Sequence, residues 1–154
     1  MDIVDPATRS RMMSGIRSKN TKPEIRIRSL LHRRGFRFKI HVSDLPGKPD
    51  IVLPKHHAVI FINGCFWHGH NCHLFKMPLT RCEFWQKKID KNRINDNRSI
   101  AALRSDNWRV ATVWECALKG SSRHDESTVV DSLSQWLLGN KSSLEISANA
   151  KGNG

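Results

Sequence analysis

No apolar run in this chain approaches the roughly 20 residues needed to span a membrane, and the first residues lack the apolar core of a secretory signal. Neither a membrane protein nor an exported one is expected, and a cytoplasmic location follows. Acidic residues are scarce: 14 Asp and Glu stand against 26 Lys and Arg, a formal charge of +12. That imbalance calls for a polyanionic partner, with nucleic acid the leading candidate. Cysteine is sparse too, at four in 154 residues. A chain of this length can build a true core, so it is not a disulfide-stapled miniature. In a reducing compartment, with histidines interposed, the thiols read as metal ligands in preference to disulfides, with reduced core cysteines the alternative.

What is present concentrates in Asn63-Gly64-Cys65-Phe66-Trp67-His68-Gly69-His70-Asn71-Cys72-His73. Cys65, His70 and Cys72 offer two thiolates and an imidazole within eight residues, and Cys116 can return from far along the chain to complete a tetrahedral zinc site. His73 and Cys82 are the alternative fourth ligands. A short loop cannot bury Phe66 and Trp67 by itself. Either they dock on the core or they project at a partner, where apolar wedges separate stacked bases.

The spacing of apolar and turn residues predicts one domain over residues 1–139 and a disordered tail over 140–154, rich in Ser, Asn, Gly and Lys. Asp5-Pro6 opens a basic helical arm that runs through Met13 to Arg17 within residues 1–20 and orders on its partner. Thr21 to Glu24 fits a capping box for a helix whose face is Ile27, Leu30 and Leu31, ending before Gly35. Phe36, Phe38 and Ile40 alternate as a half-buried strand, followed by strands over Asp50 to Leu53 and Ala58 to Ile62. Thr80 to Glu83 is a second capping-box match, opening a long helix to about Asp106. Trp108 to Trp114 reads as a strand and Val129 to Leu138 as a final helix. Helices flanking a small mixed sheet, an α/β class, follow from that order.

The scarce carboxylates can be followed one by one. Asp50 follows the stiff turn Pro46-Gly47-Lys48-Pro49 and opens an apolar strand; it is either a placed functional acid or a turn-capping one. On the long helix, Ile89, Asp96 and Leu103 are spaced by seven, which sets Asp96 on the core-facing stripe, where a charge needs a partner. An edge position with an Arg partner is the alternative. Glu24 can serve a site or simply hold its helix start. Asp50 with the carbonyl of Ile62 can ligate Mg²⁺, while Glu24, Asn63 and Asp96 orient its waters. His68 is the natural proton carrier. Phosphodiester hydrolysis is the chemistry such a set performs.

Pro46 to Asp50, the run Val59 to His70, Glu83-Phe84-Trp85, Lys88-Ile89 and Trp114 to Leu118 resemble the Vsr family of bacterial very short patch repair endonucleases, over roughly residues 5 to 138. The resemblance implies a restriction-endonuclease-like three-layer fold with a structural zinc site, and Mg²⁺-dependent nicking of one strand 5′ of the mismatched thymine in T:G pairs that arise from 5-methylcytosine deamination. It also implies a nucleoid-associated monomer that meets other mismatch-repair proteins. In the family pattern Asp50 binds Mg²⁺, His68 is catalytic, Glu24 and Asp96 assist, and Cys65, His70, Cys72 and Cys116 hold Zn²⁺. Phe66, Trp67 and Trp85 match the DNA wedge, and Met13 matches an arm that embraces the duplex.

Two departures stand out. The strand that carries an acid and a Lys in many restriction-like nucleases reads Phe61-Ile62-Asn63 here, so His68 must supply what the Lys would. Asn63 stands where some members carry His, and it keeps only a water-orienting role. Lys88 is a candidate for reading bases in a groove. Trp85 could equally be core, at helical spacing from Ile89, and Trp108, Trp114 and Trp136 are expected in the core. The competing functions are a restriction-type endonuclease on unmodified DNA and a non-catalytic, zinc-dependent DNA-binding module.

Overall fold

The computed structural model describes residues 22–65, 68–70, 72, 77–120 and 122–148. The N-terminal arm with Met13, and the aromatics Phe66 and Trp67, lie outside them. The elements in order are α1 (Lys22–Arg33), β1 (Ile51–Leu53), β2 (Ala58–Asn63), α2 (Cys82–Ser105), β3 (Arg109–Trp114), α3 (Glu126–Leu138) and β4 (Ser143–Ile146). The strands form one mixed sheet in the order β1-β2-β3-β4, with β1 antiparallel to β2 and the other two pairs parallel.

Strand alternation sorts the side chains into two cores. Ile51, Leu53, Ala58, Ile60, Ala111, Val113 and Ile146 pack with Ile27 and Leu31 of α1 and with Val129, Val130 and Leu133 of α3. Val52, Val59 and Val110 face the other way, against Leu103 of α2 and the partly buried Ile100, Phe61 and Trp108. The sheet therefore lies between α1 and α3 on one face and α2 on the other. This is the three-layer, restriction-endonuclease-like α/β arrangement implied by the resemblance.

The two long helices are held differently. α1 buries Ile27 and Leu31 one turn apart, each a side chain whose full burial is worth about 1.5–3 kcal/mol. α2 is 24 residues long, yet among the described residues only Ile89 and Leu103 on it are buried. Anchored near both ends, its middle is left to line a cavity. Asp96 sits there, on the expected stripe but facing the site.

Three expectations are corrected. The tail expected to be disordered contains β4, paired to β3 from Val110↔Ser143 to Val113↔Ile146, so the domain continues past residue 139. A parallel edge strand needs little from its sequence: the ladder comes from the backbone, and Ile146 and Leu144 supply enough apolar surface to seat it. The strand expected over Phe36 to Ile40 is reduced to one bridge, Lys39 to Val52, because His41 enters the left-handed region at φ 57° and turns the chain away. The capping box at Thr80 to Glu83 does not form. α2 begins at Cys82 behind Arg81, itself left-handed at φ 56°, so Thr80 stands one residue too early to cap.

Candidate active site and metal cluster

The site grows from the place where β1 and β2 part. Arg109 N–H donates to the His57 carbonyl, so odd-numbered residues of β2 turn their peptide groups toward β3 and even-numbered ones toward β1. Ile60 accepts from the Asp50 N–H at 3.1 Å. One alternation further, the Ile62 N–H donates to Asp50 Oδ2 at 2.6 Å, and the Ile62 carbonyl leaves on the same edge. Lys48 N–H is turned to the Leu45 carbonyl and Pro49 has no N–H, so neither offers the Ile62 carbonyl a backbone donor. A carboxylate and a carbonyl thus flank one gap at the sheet end, a donor set of oxygens suited to a hard cation.

Burial pushes the Asp50 carboxyl up to about 7. The Ile62 N–H opposes that, the neighbouring Glu24 carboxylate adds to it, and Arg28 relieves part of it. Glu24 is itself only 2% exposed, in the first turn of α1, with Arg28 Nη2 at 3.6 Å from its Oε2. Two acids and the Arg28 guanidinium thus meet at one buried point, and carboxylate oxygens are the ligands a divalent ion takes. Glu24 meets Asp50 from a small cleft also lined by His41, Val42, Ser43, Lys48 and Pro49.

On its other side Asp50 lines a cavity of about 120 Å³ together with Ile62, Asn63, His68, Asp96 and Ser99. Within it His68 Nδ1 is hydrogen-bonded to Asp96 Oδ2. Asp96 therefore pairs with a histidine and not with an arginine. Gly47 lets the preceding turn approach α2: at φ 75° its missing Cβ would lie 2.9 Å from Ser99 Cβ. Gly69 does the same for the loop after His68, where at φ 62° a Cβ would meet Ile89 Cγ2 at 2.6 Å.

Beside this cavity Cys65, His70, Cys72 and Cys116 converge, their ligand atoms all within 4.8 Å of one another. Cys65 Sγ and Cys116 Sγ each lie 3.5 Å from His70 Nδ1. A tetrahedral zinc ion with bonds of about 2.3 Å sets its ligands about 3.8 Å apart, so the spacing fits. Cys65 and Cys116 are buried, which pushes both thiols up and makes them reluctant to ionise without a cation. Burial holds His70 below its usual value, keeping the imidazole neutral as a ligand must be. Peptide N–H groups steady the sulfurs: Cys116 N–H donates to Cys65 Sγ and Ala148 N–H to Cys116 Sγ, each at 3.3 Å. The donor set is that of a structural zinc site. His73 lies outside the described residues, and Cys82 points elsewhere, to the Pro78 carbonyl at 3.0 Å.

The face around the start of α2 carries apolar surface among cations. Leu79 is 98% exposed, Phe84 is 45% exposed under the Arg81 guanidinium, and Trp85, half-buried, meets Phe84 edge-on at 5.1 Å. Lys88 lies one turn further along α2, also half-buried. Two site neighbours were not expected. Trp114 was expected in the core, yet its indole stacks on His70 at 4.1 Å, and Glu145, expected in a tail, binds it. The position of Trp114, two residues before Cys116 of the cluster, is the signal that could have found it.

A family model described as DNA mismatch endonuclease Vsr matches residues 1–74. The DNA mismatch endonuclease Vsr of Escherichia coli K12 is 44% identical over 145 residues, 94% of this chain and 93% of that protein. The chain belongs to the Vsr family. Other relatives are the type II nicking enzymes V.XorIIP of Xanthomonas oryzae pv. oryzae, 50% identical over 76% of this chain and 86% of that one, and V.NmeAIP of Neisseria meningitidis, 42% identical over 79% and 86%. No helix among the described residues is long and apolar enough to cross a membrane.

Proposed function

We propose that this Vsr-family chain is a Mg²⁺-dependent DNA endonuclease that nicks one strand 5′ of the mismatched thymine in T:G pairs left by deamination of 5-methylcytosine. The observation that carries the reading is that Asp50, Ile62, His68 and Asp96 share one cavity. The relatives named as a mismatch endonuclease and as nicking enzymes support it, as does the charge of +12.

Asp50 and the Ile62 carbonyl would hold Mg²⁺, which when bound supplies positive charge to the phosphate and the departing oxygen. The remaining steps belong to the chain. A carboxylate only accepts hydrogen bonds, so Asp96 keeps the His68 proton on Nδ1 and leaves Nε2 to exchange a proton with the attacking water or the leaving oxygen. Asn63, on the cavity wall, holds water by its amide and cannot titrate near neutral pH. Glu24 acts through Asp50, beside which it lies.

Mismatch choice follows from deformability. A T:G wobble stacks less well than its neighbours, so opening that step costs less than the few kcal/mol otherwise needed. Phe66, Trp67 and Trp85 would insert there, and stacking returns about 1–3 kcal/mol per base. The basic arm around Met13 would close over the duplex, and Lys88 would contact it.

Incubating matched and T:G duplexes with protein and Mg²⁺ tests this directly. One nicked strand is expected from the T:G duplex, lost in Asp50→Ala and His68→Ala proteins that still fold. Equal cleavage of the matched duplex would overturn the mismatch assignment, and cleavage with Mg²⁺ withheld would overturn the metal assignment.

A further inference from the structure

Trp114 is the last residue of β3, and three residues from two segments, the loop after β2 and the strand β4, meet on its indole. His70 stacks on its face, with ring centroids 4.1 Å apart and planes 6° from parallel. His68 meets it edge-on, at 6.1 Å and 71°. The indole Nε1–H donates to Glu145 Oε2 at 2.6 Å. The register explains the last contact: Glu145 pairs with Thr112, so in the β alternation it stands on the same sheet face as Thr112 and Trp114, the face toward α2. Glu145, Trp114, Thr112, Asn63, His68 and Asp96 all line one larger cavity of about 480 Å³.

The imidazole of His68 is thus fixed at two points. Asp96 on α2 holds Nδ1, and the Trp114 indole, set edge-to-face against the ring, limits how it tilts. His70, one residue beyond Gly69, is clamped by the cysteines on one side and by the flat of Trp114 on the other. An indole held only by stacking can still slide and rotate in its plane. A hydrogen bond from its single N–H to a charged acceptor removes that freedom, and charge-assisted bonds are about twice as strong as neutral ones.

We propose that Glu145 is a positioning residue: by holding the Trp114 indole N–H, it fixes the ring on which His70 stacks and against which His68 stands edge-to-face. The last strand of the sheet therefore helps set the geometry of the reacting imidazole. This rests on the reading of His68 as the proton carrier. Partners that orient a metal-bound histidine typically change activity or affinity by about 10–100-fold when removed.

The test uses the full-length, zinc-loaded protein and a T:G duplex. Glu145→Leu should lower kcat about tenfold or more with KM and zinc content little changed. Glu145→Gln, which keeps a carbonyl acceptor, should restore most of the rate. In a Trp114→Phe background, which has no N–H to hold, Glu145→Leu should have no further effect, since the two changes remove one interaction. Without DNA, the NMR shifts of the His68 ring protons, set partly by the Trp114 ring current, should move in Glu145→Leu and stay in Glu145→Gln. A lowered melting temperature with kcat and those shifts unchanged would make Glu145 a mere tie between strands and overturn the proposal. If Glu145→Leu fails to fold, the Gln and Trp114→Phe proteins carry the same comparison. A wild-type protein that does not nick T:G duplexes would sink the functional reading, while the His68 shifts would still decide the positioning.

Discussion

His68 Nδ1 is hydrogen-bonded to the carboxylate of Asp96, a residue about two turns from each of the buried anchors Ile89 and Leu103 of its helix. The contact assigns the tautomer. Asp96→Asn can present either an acceptor or a donor and so loses that assignment. The variant is expected to fold and keep its metal while nicking falls about 10²–10⁴-fold, checked by single-turnover kinetics. A rate within a few-fold of wild type would remove Asp96 from the mechanism.

Asp50 should cost stability where it provides function. Its carboxyl is raised to about 7 against an ordinary value near 3.8. The folded state therefore binds a proton that the unfolded chain has released, and stability falls as pH rises from about 4 to about 7, then levels off. In zinc-loaded protein without Mg²⁺, Asp50→Asn is expected to flatten that slope and to raise stability near pH 8 by about 1–4 kcal/mol while abolishing nicking. Urea unfolding at several pH values measures it. An Asn variant less stable than wild type at pH 8 would contradict the argument.

Metal analysis should find about one zinc ion per chain, and Cys116→Ser should release it to a chelator far faster than wild type. The expected loss of stability is several kcal/mol, because the donor set links segments 51 residues apart, Cys65 and Cys116. A Cys116→Ser protein with full zinc retention would mean the cluster closes differently.

Arg109 is the strongest structural bet away from the site. Its guanidinium donates to the carbonyls of Trp136, Leu137, Gly139 and Lys141, and lies 4.6 Å above the Trp136 ring. It ties the end of α3 to the approach of β4. Arg109→Ala is expected to cost about 2–4 kcal/mol. Arg109→Lys should recover less than half, since an ammonium cannot fork across several carbonyls. Equilibrium unfolding of the two variants decides it.

The site was legible because its chemistry uses rare residues at tight spacing. Cys65, His70 and Cys72 announce a cluster in eight positions, and Asp50 stands out as an acid heading an apolar strand. Asp96 could be placed because seven-residue spacing carries over directly to one helix face. β4 was hidden because Ser143-Leu144-Glu145-Ile146 offers one alternation inside a polar stretch, and its stability comes from Val110 to Val113, far away in sequence. Glu145 was lost with it. The failed capping box at Thr80 shows the reverse error, a local pattern overruled by where the loop delivers the chain. Glu24 matched a capping pattern so well that only its burial against Asp50 gives it a second role.

The parallel ladder between β2 and β3 ends at the pair Asn63↔Trp114, and both strands run straight on into the cluster, at Cys65 and Cys116. An ion there is a rivet through two adjacent strand exits. Thiol oxidation or a competing soft metal would then disarm the protein without touching a single cleaving residue, by letting those exits splay.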